Sequence, residues 1–246
     1  MYLNRIIPTE PHEAPTDFRL RKTVFLGYTD VNAGGIRALL GIDMKKEYMD
    51  INVPALAGAR LACVRTGDLD PREREFAPVQ VWNLKYEQFS VILVNTALKP
   101  TKCHHVCSAI VDLCSRSCVK KLVVLSALRV DIFDETPQPI YENAINDLPF
   151  TKLPSIPSDA LMNDAFLSTL IQMVRVDFVP SCFLVIPAHR ACIGAARDDD
   201  GSKEVIRTFQ NIVNAAYGIS FDEGFSFDLV YQGEQTADTT LSMIYS

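Results

Sequence analysis

TKCHHVCSAIVDLCSRSCVKKLVVLSA, residues 101–127, decides the fold class, because it reads as a helix running straight into a buried strand. Cys103, Cys107, Cys114 and Cys118 follow steps of four, seven and four, which places them on one helical face. A free cysteine on such a face acts as a small apolar residue. The spacing predicts a helix over Thr101–Cys118. Lys121–Ala127 is a short, nearly unbroken apolar run and reads as a strand covered on both sides.

The same alternation extends outward. Lys22–Gly27 reads as a buried strand, Gly27–Asp30 as a turn, and Val31–Leu40 as a helix with Asp30 as its N-cap. Ala59–Arg65, Val79–Leu84 and Ser90–Thr96 have strand character. The first two are joined by the charged loop 66–75, a pattern expected of neighbouring antiparallel strands. Past the central strand, Val130–Pro157 holds five prolines and reads as a long loop. Ser158 is expected to cap a helix whose apolar positions are Leu161, Ala165, Leu167, Leu170, Met173 and Val174. Cys182–Ile186 reads as a strand ended by Pro187. Lys203–Tyr217 reads as a helix with the stripe Val205, Ile206, Phe209, Ile212, Val213 and Ala216, stopped by Gly218. Strands alternating with helices imply a layered α/β domain with a mixed sheet. The expected organisation is an N-terminal arm over 1–19, the α/β domain over 20–231, and a tether with a flexible C-terminal tail over 232–246.

Composition sets bounds on function. With 246 residues, 48% hydrophobic and 22% charged, a sizeable core is available. A net charge of −6 argues against nucleic acid and anionic membranes as partners. Met1–Phe18 carries Pro8, Pro11 and Pro15 without an apolar core, so no signal peptide is expected. No stretch approaches the ~20 apolar residues of a membrane span. Seven cysteines in a chain of this size read as reduced thiols. The expected compartment is the cytoplasm, with the nucleus as a second one.

The candidate chemical sites are weak. Cys103, His104, His105, Cys107, Cys114 and Cys118 are metal-ligand types, but on one helix Cys103 and Cys118 lie ~22 Å apart. They cannot share a zinc, and no metal is expected. Gly27, Gly34 and Gly35 flank a strand-to-helix turn of the kind that can cradle phosphate. The pattern matches neither the dinucleotide fingerprint nor the P-loop, and a packing turn is the favoured reading. Ser126, His189 and Asp177 can be strung into a triad, but no nucleophile elbow supports it. Asp198, Asp199, Asp200 and Gly201 lack calcium-loop spacing. Neither a catalytic centre nor a cofactor is expected.

The chain ends in Ile244, Tyr245 and Ser246, preceded by the polar segment Gln232–Met243. An apolar side chain, a rigid ring with a hydroxyl, and a terminal carboxylate together form a docking signal. About fourteen residues of this C-terminal end reach ~45 Å when extended. This hydrophobic–tyrosine–any-residue (HbYX) tail resembles that of proteasome activators and assembly chaperones. So do the strand and turn ending at Gly27, the cysteine-rich helix with strand Lys121–Ala127, the helix and strand around Leu161–Ile186, and the helix Val205–Ala216. Over roughly residues 20–246 the chain resembles the proteasome assembly chaperone 1 family.

The resemblance implies a single three-layer α/β/α domain, related in architecture to nucleoside phosphorylases without their active site. It implies a non-enzymatic chaperone paired with proteasome assembly chaperone 2, acting on proteasome α subunits as the α-ring of the 20S core is built. Ile244, Tyr245 and Ser246 are the partner-binding residues it implies. A pairing protein of this kind is expected to expose an apolar patch when isolated. The alternative is an α/β enzyme acting on a nucleoside or similar small molecule, using the Gly27–Gly35 turn for phosphate and Asp30 as an acid. A generic scaffolding module is a third reading.

Overall fold

The structure, a computed structural model, describes residues 18–44, 46–65, 76–84, 89–131, 139–188 and 202–231. Its frame is a seven-stranded sheet. The order is β2 (Lys46–Asp50), β4 (Val79–Leu84), β5 (Phe89–Val94), β1 (Thr23–Gly27), β6 (Lys121–Leu128), β10 (Ser181–Pro187) and β8 (Tyr141–Ile145). The four central strands β5, β1, β6 and β10 are parallel, while β4, β2 and β8 pair antiparallel at the flanks. The sheet is therefore mixed, as expected.

Its central strands are apolar on both sides because helices cover both faces. Val24 and Leu26 of β1 pack with Val106, Cys107 and Ile110 of α2 (Pro100–Arg116) and Leu170 and Val174 of α3 (Ala165–Val176). Phe25 points the other way, into Ile36 and Leu39 of α1 (Gly34–Leu40) and Ile206, Phe209 and Val213 of α4 (Ser202–Tyr217). The short α5 (Glu223–Asp228) closes that second layer. This is the three-layer α/β/α arrangement. Gly218 ends α4 at φ 67°, and its amide donates to the Asn214 carbonyl at 2.6 Å. Ala216, expected in the α4 stripe, is exposed.

Four local readings are corrected. Ala59–Arg65 yields only β3 (Cys63–Arg65), which pairs with β11 (Leu229–Tyr231) and not with β4. The cause is Asn95, just past β5. Its Oδ1 accepts from the Cys63 amide at 2.7 Å and its Nδ2 donates to the Cys63 carbonyl at 3.0 Å, so the segment is held at the end of the sheet. Val31–Leu40 is not one helix: a 3₁₀ turn spans Val31–Ala33, and Ala33 at φ 52° breaks the path before α1. Ser158 caps nothing. Leu161–Met162 forms β9, paired with β7 (Val130–Asp131), and α3 starts after Asp164, whose Oδ1 accepts from the Leu167 amide at 2.6 Å.

The fourth correction is β8, which lies inside the expected loop. Its alternation is hidden by Glu142, a carboxylate only 2% exposed. Glu142 accepts from Cys182 Sγ at 2.9 Å, from the Thr151 amide at 2.7 and 3.0 Å, and from the Phe150 amide and the Thr151 hydroxyl. Burial pushes its pKa up, but the donors from Cys182, Thr151 and Phe150 outweigh burial and hold it below the usual carboxylate range. A depressed folded value gives stability that is complete above the unfolded pKa of about 4.3 and lost as pH falls through the folded one. Glu142→Ala strands these donors and is expected to cost about 3 kcal/mol. Urea titrations at neutral pH and at pH 3 check this: the gap between wild type and variant narrows in acid.

Candidate functional site

In the sheet order, β1 is where the chain reverses direction: β5 is added on one side of it and β6 on the other. The following helices α1 and α2 leave toward opposite faces. Crevices at the carboxyl ends of such strands are where α/β folds hold ligands. Tyr28, Asp30 and Ser126 are buried there, with the cap Asp164 of α3 beside them.

Asp30 dominates the geometry. Its Oδ2 accepts from the Gly35 amide at 3.1 Å and the Ala127 amide at 2.6 Å, joining the β1–α1 turn to the end of β6. The backbones are in tight contact. A Cβ on Gly27 would stand 2.8 Å from Ile36 Cα, and one on Gly35 would collide with the Leu125 carbonyl oxygen. Packing is thus the work of these glycines. The Gly35 amide that a phosphate would need is already donated to Asp30.

Three buried atoms of this cluster lack a hydrogen-bond partner among the described residues: Tyr28 Oη, Asp30 Oδ1 and Ser126 Oγ. The Tyr28 hydroxyl lies beside Ser126 and Asp164 without a formed hydrogen bond. Burial raises the Asp30 carboxyl well above its ordinary value, against the amides of Ala127, Gly35 and Gly34 that favour the anion. Burial also raises Tyr28, helped by the carboxylates of Asp164 and Asp30. Both groups are driven toward their neutral forms. Among the described residues Ser126 Oγ has no hydrogen-bond partner, and His104 and His105 are exposed on α2.

A carboxyl raised in the folded state contributes stability below the unfolded pKa of about 3.9 and loses it as pH rises through the folded value. Asp30→Asn keeps an acceptor for both amides and removes the charge. Its stability relative to wild type is expected to improve as pH rises toward neutrality. Asp30→Ala leaves two buried N–H groups unsatisfied and costs about 2 kcal/mol or more. Denaturant midpoints for both variants across pH 4–8 check the pair.

The other residues singled out in the sequence do not converge. Cys103, Cys107 and Cys114 are buried on α2, and burial pushes the Cys114 thiol up to about 12. Cys118 is exposed, past the helix end at φ 52°, so the expected cysteine face holds for three of its four members. Among the described residues no group of three metal-ligand side chains is close enough to hold an ion. Ser126 sits near the carboxyl end of β6. Asp177 closes α3 at the opposite end, near Pro180, whose carbonyl accepts from the Leu122 amide. His189, the run 198–201, the loop 66–75, the tether 232–243 and the tail Ile244, Tyr245 and Ser246 lie outside the described residues.

Sequence reasoning missed Arg37, which is 6% exposed. Its guanidinium donates to Ser202 Oγ at 3.0 Å and to the Ser226 and Phe227 carbonyls at 3.3 Å, tying α1 to α4 and α5. The available signal was a lone arginine inside the apolar run Gly34–Leu40.

No protein-family model matches the chain, and no curated protein matches it. Solved structures do. A protein of unknown function from Thermoplasma acidophilum aligns with TM-score 0.61 and 11% identity, over 92% of this chain and 87% of that one. Pyrococcus furiosus PbaA, an archaeal homolog of proteasome-assembly chaperone, aligns with TM-score 0.54 and 12% identity, over 92% of this chain and 93% of its own. A Corynebacterium glutamicum protein of unknown function aligns with TM-score 0.52 and 10% identity, over 97% and 87%. What this chain shares with them is the fold.

Proposed function

We propose that this chain is a non-enzymatic chaperone of proteasome assembly. The observation that carries the reading is the fold it shares, over 92% of its length, with an archaeal homolog of proteasome-assembly chaperone. The apolar–tyrosine end of the sequence agrees with it. In this reading residues 20–231 form the chaperone body, and 232–243 tether the tail. Ile244 fills an apolar slot on the α-ring of the 20S core, Tyr245 adds its ring and hydroxyl, and the Ser246 carboxylate meets a cation or backbone amides. The chain works as a heterodimer with proteasome assembly chaperone 2, in the cytoplasm and nucleus. The polar cluster around Asp30 is structural here, since its carboxyl oxygen is committed to the Gly35 and Ala127 amides.

The test is affinity purification of the intact chain from cells. Proteasome α subunits without mature β subunits are the expected companions. A co-purifying nucleoside or other metabolite, with no α subunits, would replace this reading with that of a small-molecule enzyme.

A further inference from the structure

The amino-terminal edge of the parallel strands, opposite the Asp30 cluster, gathers four segments. The Lys22 carbonyl accepts from the Lys120 and Lys121 amides at 2.7 and 3.0 Å, and the Pro180 carbonyl accepts from the Leu122 amide at 2.8 Å. Asn146 Nδ2 donates to the Val174 carbonyl at 3.0 Å, and Lys121 Nζ pairs with Asp147 at 3.2 Å. With strands about 4.8 Å apart, this face spans about 15 Å from β1 to β8.

Leu148, Val176 and Phe178 stand on it, 76%, 74% and 78% exposed. Phe178 follows the C-cap Asp177 at φ 52°, a left-handed position that glycine usually takes at a helix end. A lone exposed leucine needs no explanation. A bulky aromatic held in a disfavoured backbone conformation, beside two more exposed apolar side chains, points to a contact surface. The rim is basic. Arg21, Lys22, Lys120 and Arg175 are exposed, and none pairs with a described carboxylate. Asp177 is the exposed acid set among them. This is the reverse of the chain as a whole, whose net charge is −6.

We infer that this face receives a partner protein whose contact surface is an apolar hollow rimmed by carboxylates. Resting on the chaperone reading, that partner is proteasome assembly chaperone 2. A second copy of this chain would set cation against cation.

Phe178→Gly tests the assignment in the full chain, because it removes the ring and the backbone strain together. The thermal midpoint is expected to hold or rise by about 3 °C. Affinity for purified proteasome assembly chaperone 2 is expected to fall about thirtyfold. Lys120→Glu should slow association and flatten its salt dependence. Leu161→Ser, an exposed apolar site on β9 at the other end of the sheet, should leave affinity unchanged. Wild-type affinity in Phe178→Gly would overturn the assignment and leave the chaperone role standing. Failure of the wild-type chain to bind this partner at all would overturn the pairing and the assigned face together. Sedimentation with phosphatidylserine-containing vesicles is the remaining arm: wild-type binding that Phe178→Gly abolishes would identify a membrane and overturn the proposal.

Discussion

Gly35→Ala is expected to cost about 4 kcal/mol or more and to leave little soluble protein. The new methyl group would be driven into the Leu125 carbonyl oxygen, with the carbonyl carbon 3.0 Å away and Asp30 Oδ2 at 3.2 Å. Leu125 lies in β6, which is bonded to β1 on one side and β10 on the other, so it cannot retreat without breaking two ladders. The same methyl displaces the carboxylate that joins the turn to β6. Gly41→Ala makes a useful contrast. Its methyl meets Ser226 Oγ, a side-chain atom that can rotate, and the Asp222 carbonyl at 2.9 Å. It is expected to cost about half as much. Urea unfolding of both variants checks the ranking. A Gly35→Ala protein within 1 kcal/mol of wild type would mean that the turn is not welded to β6 as described.

The second large effect concerns the tail. In the proposed chaperone role, removing Ile244–Ser246, or changing Tyr245 to Ala, is expected to weaken binding to the α-ring by tens-fold, equivalent to ~2 kcal/mol or more. One residue added after Ser246 should also hurt, because the carboxylate moves out of register. Amidation of that carboxylate should hurt for the electrostatic reason alone. Stability and the proposed pairing with proteasome assembly chaperone 2 should be untouched, since the face assigned above lies at the amino-terminal edge of the strands. Titration of the purified heterodimer against α-rings decides it. Equal affinity of intact and truncated chains would leave the tail without a role in docking.

The sequence made the elements with one strong local signal legible. β1, β6 and β10 are short, largely apolar runs, and α2 and α4 carry clear helical stripes. The elements it concealed are held by partners far away in the chain. β8 depends on Glu142 meeting Thr151 and Cys182, and β3 on Asn95 reaching back to Cys63. β2 is a partly exposed edge strand whose charged residues, Lys46, Glu47 and Asp50, mask its alternation. Asp30 read as a helix cap because its neighbours in sequence are a turn and a helix. Its bond to Ala127 crosses 97 residues and has no local signature. Phe178 escaped notice because a helix end without glycine looks like a continuing chain.

The register of β1 bears on how the chain is made. Thr23 faces Phe89 on one side and Lys121 on the other, so β1, the first strand among the described residues, is paired by segments that come much later. At ribosomal speeds β6 follows β1 by roughly 5–20 s. Throughout that interval the edge of β1 that pairs with β6 stays open, and until residue 94 is made the β5 edge is open as well, the condition that favours off-pathway association. Factors that shield this open edge are therefore expected to raise the yield until residue 128 has cleared the exit tunnel. Its yield should depend on translation speed between residues 28 and 121 more than on the stability of the finished fold.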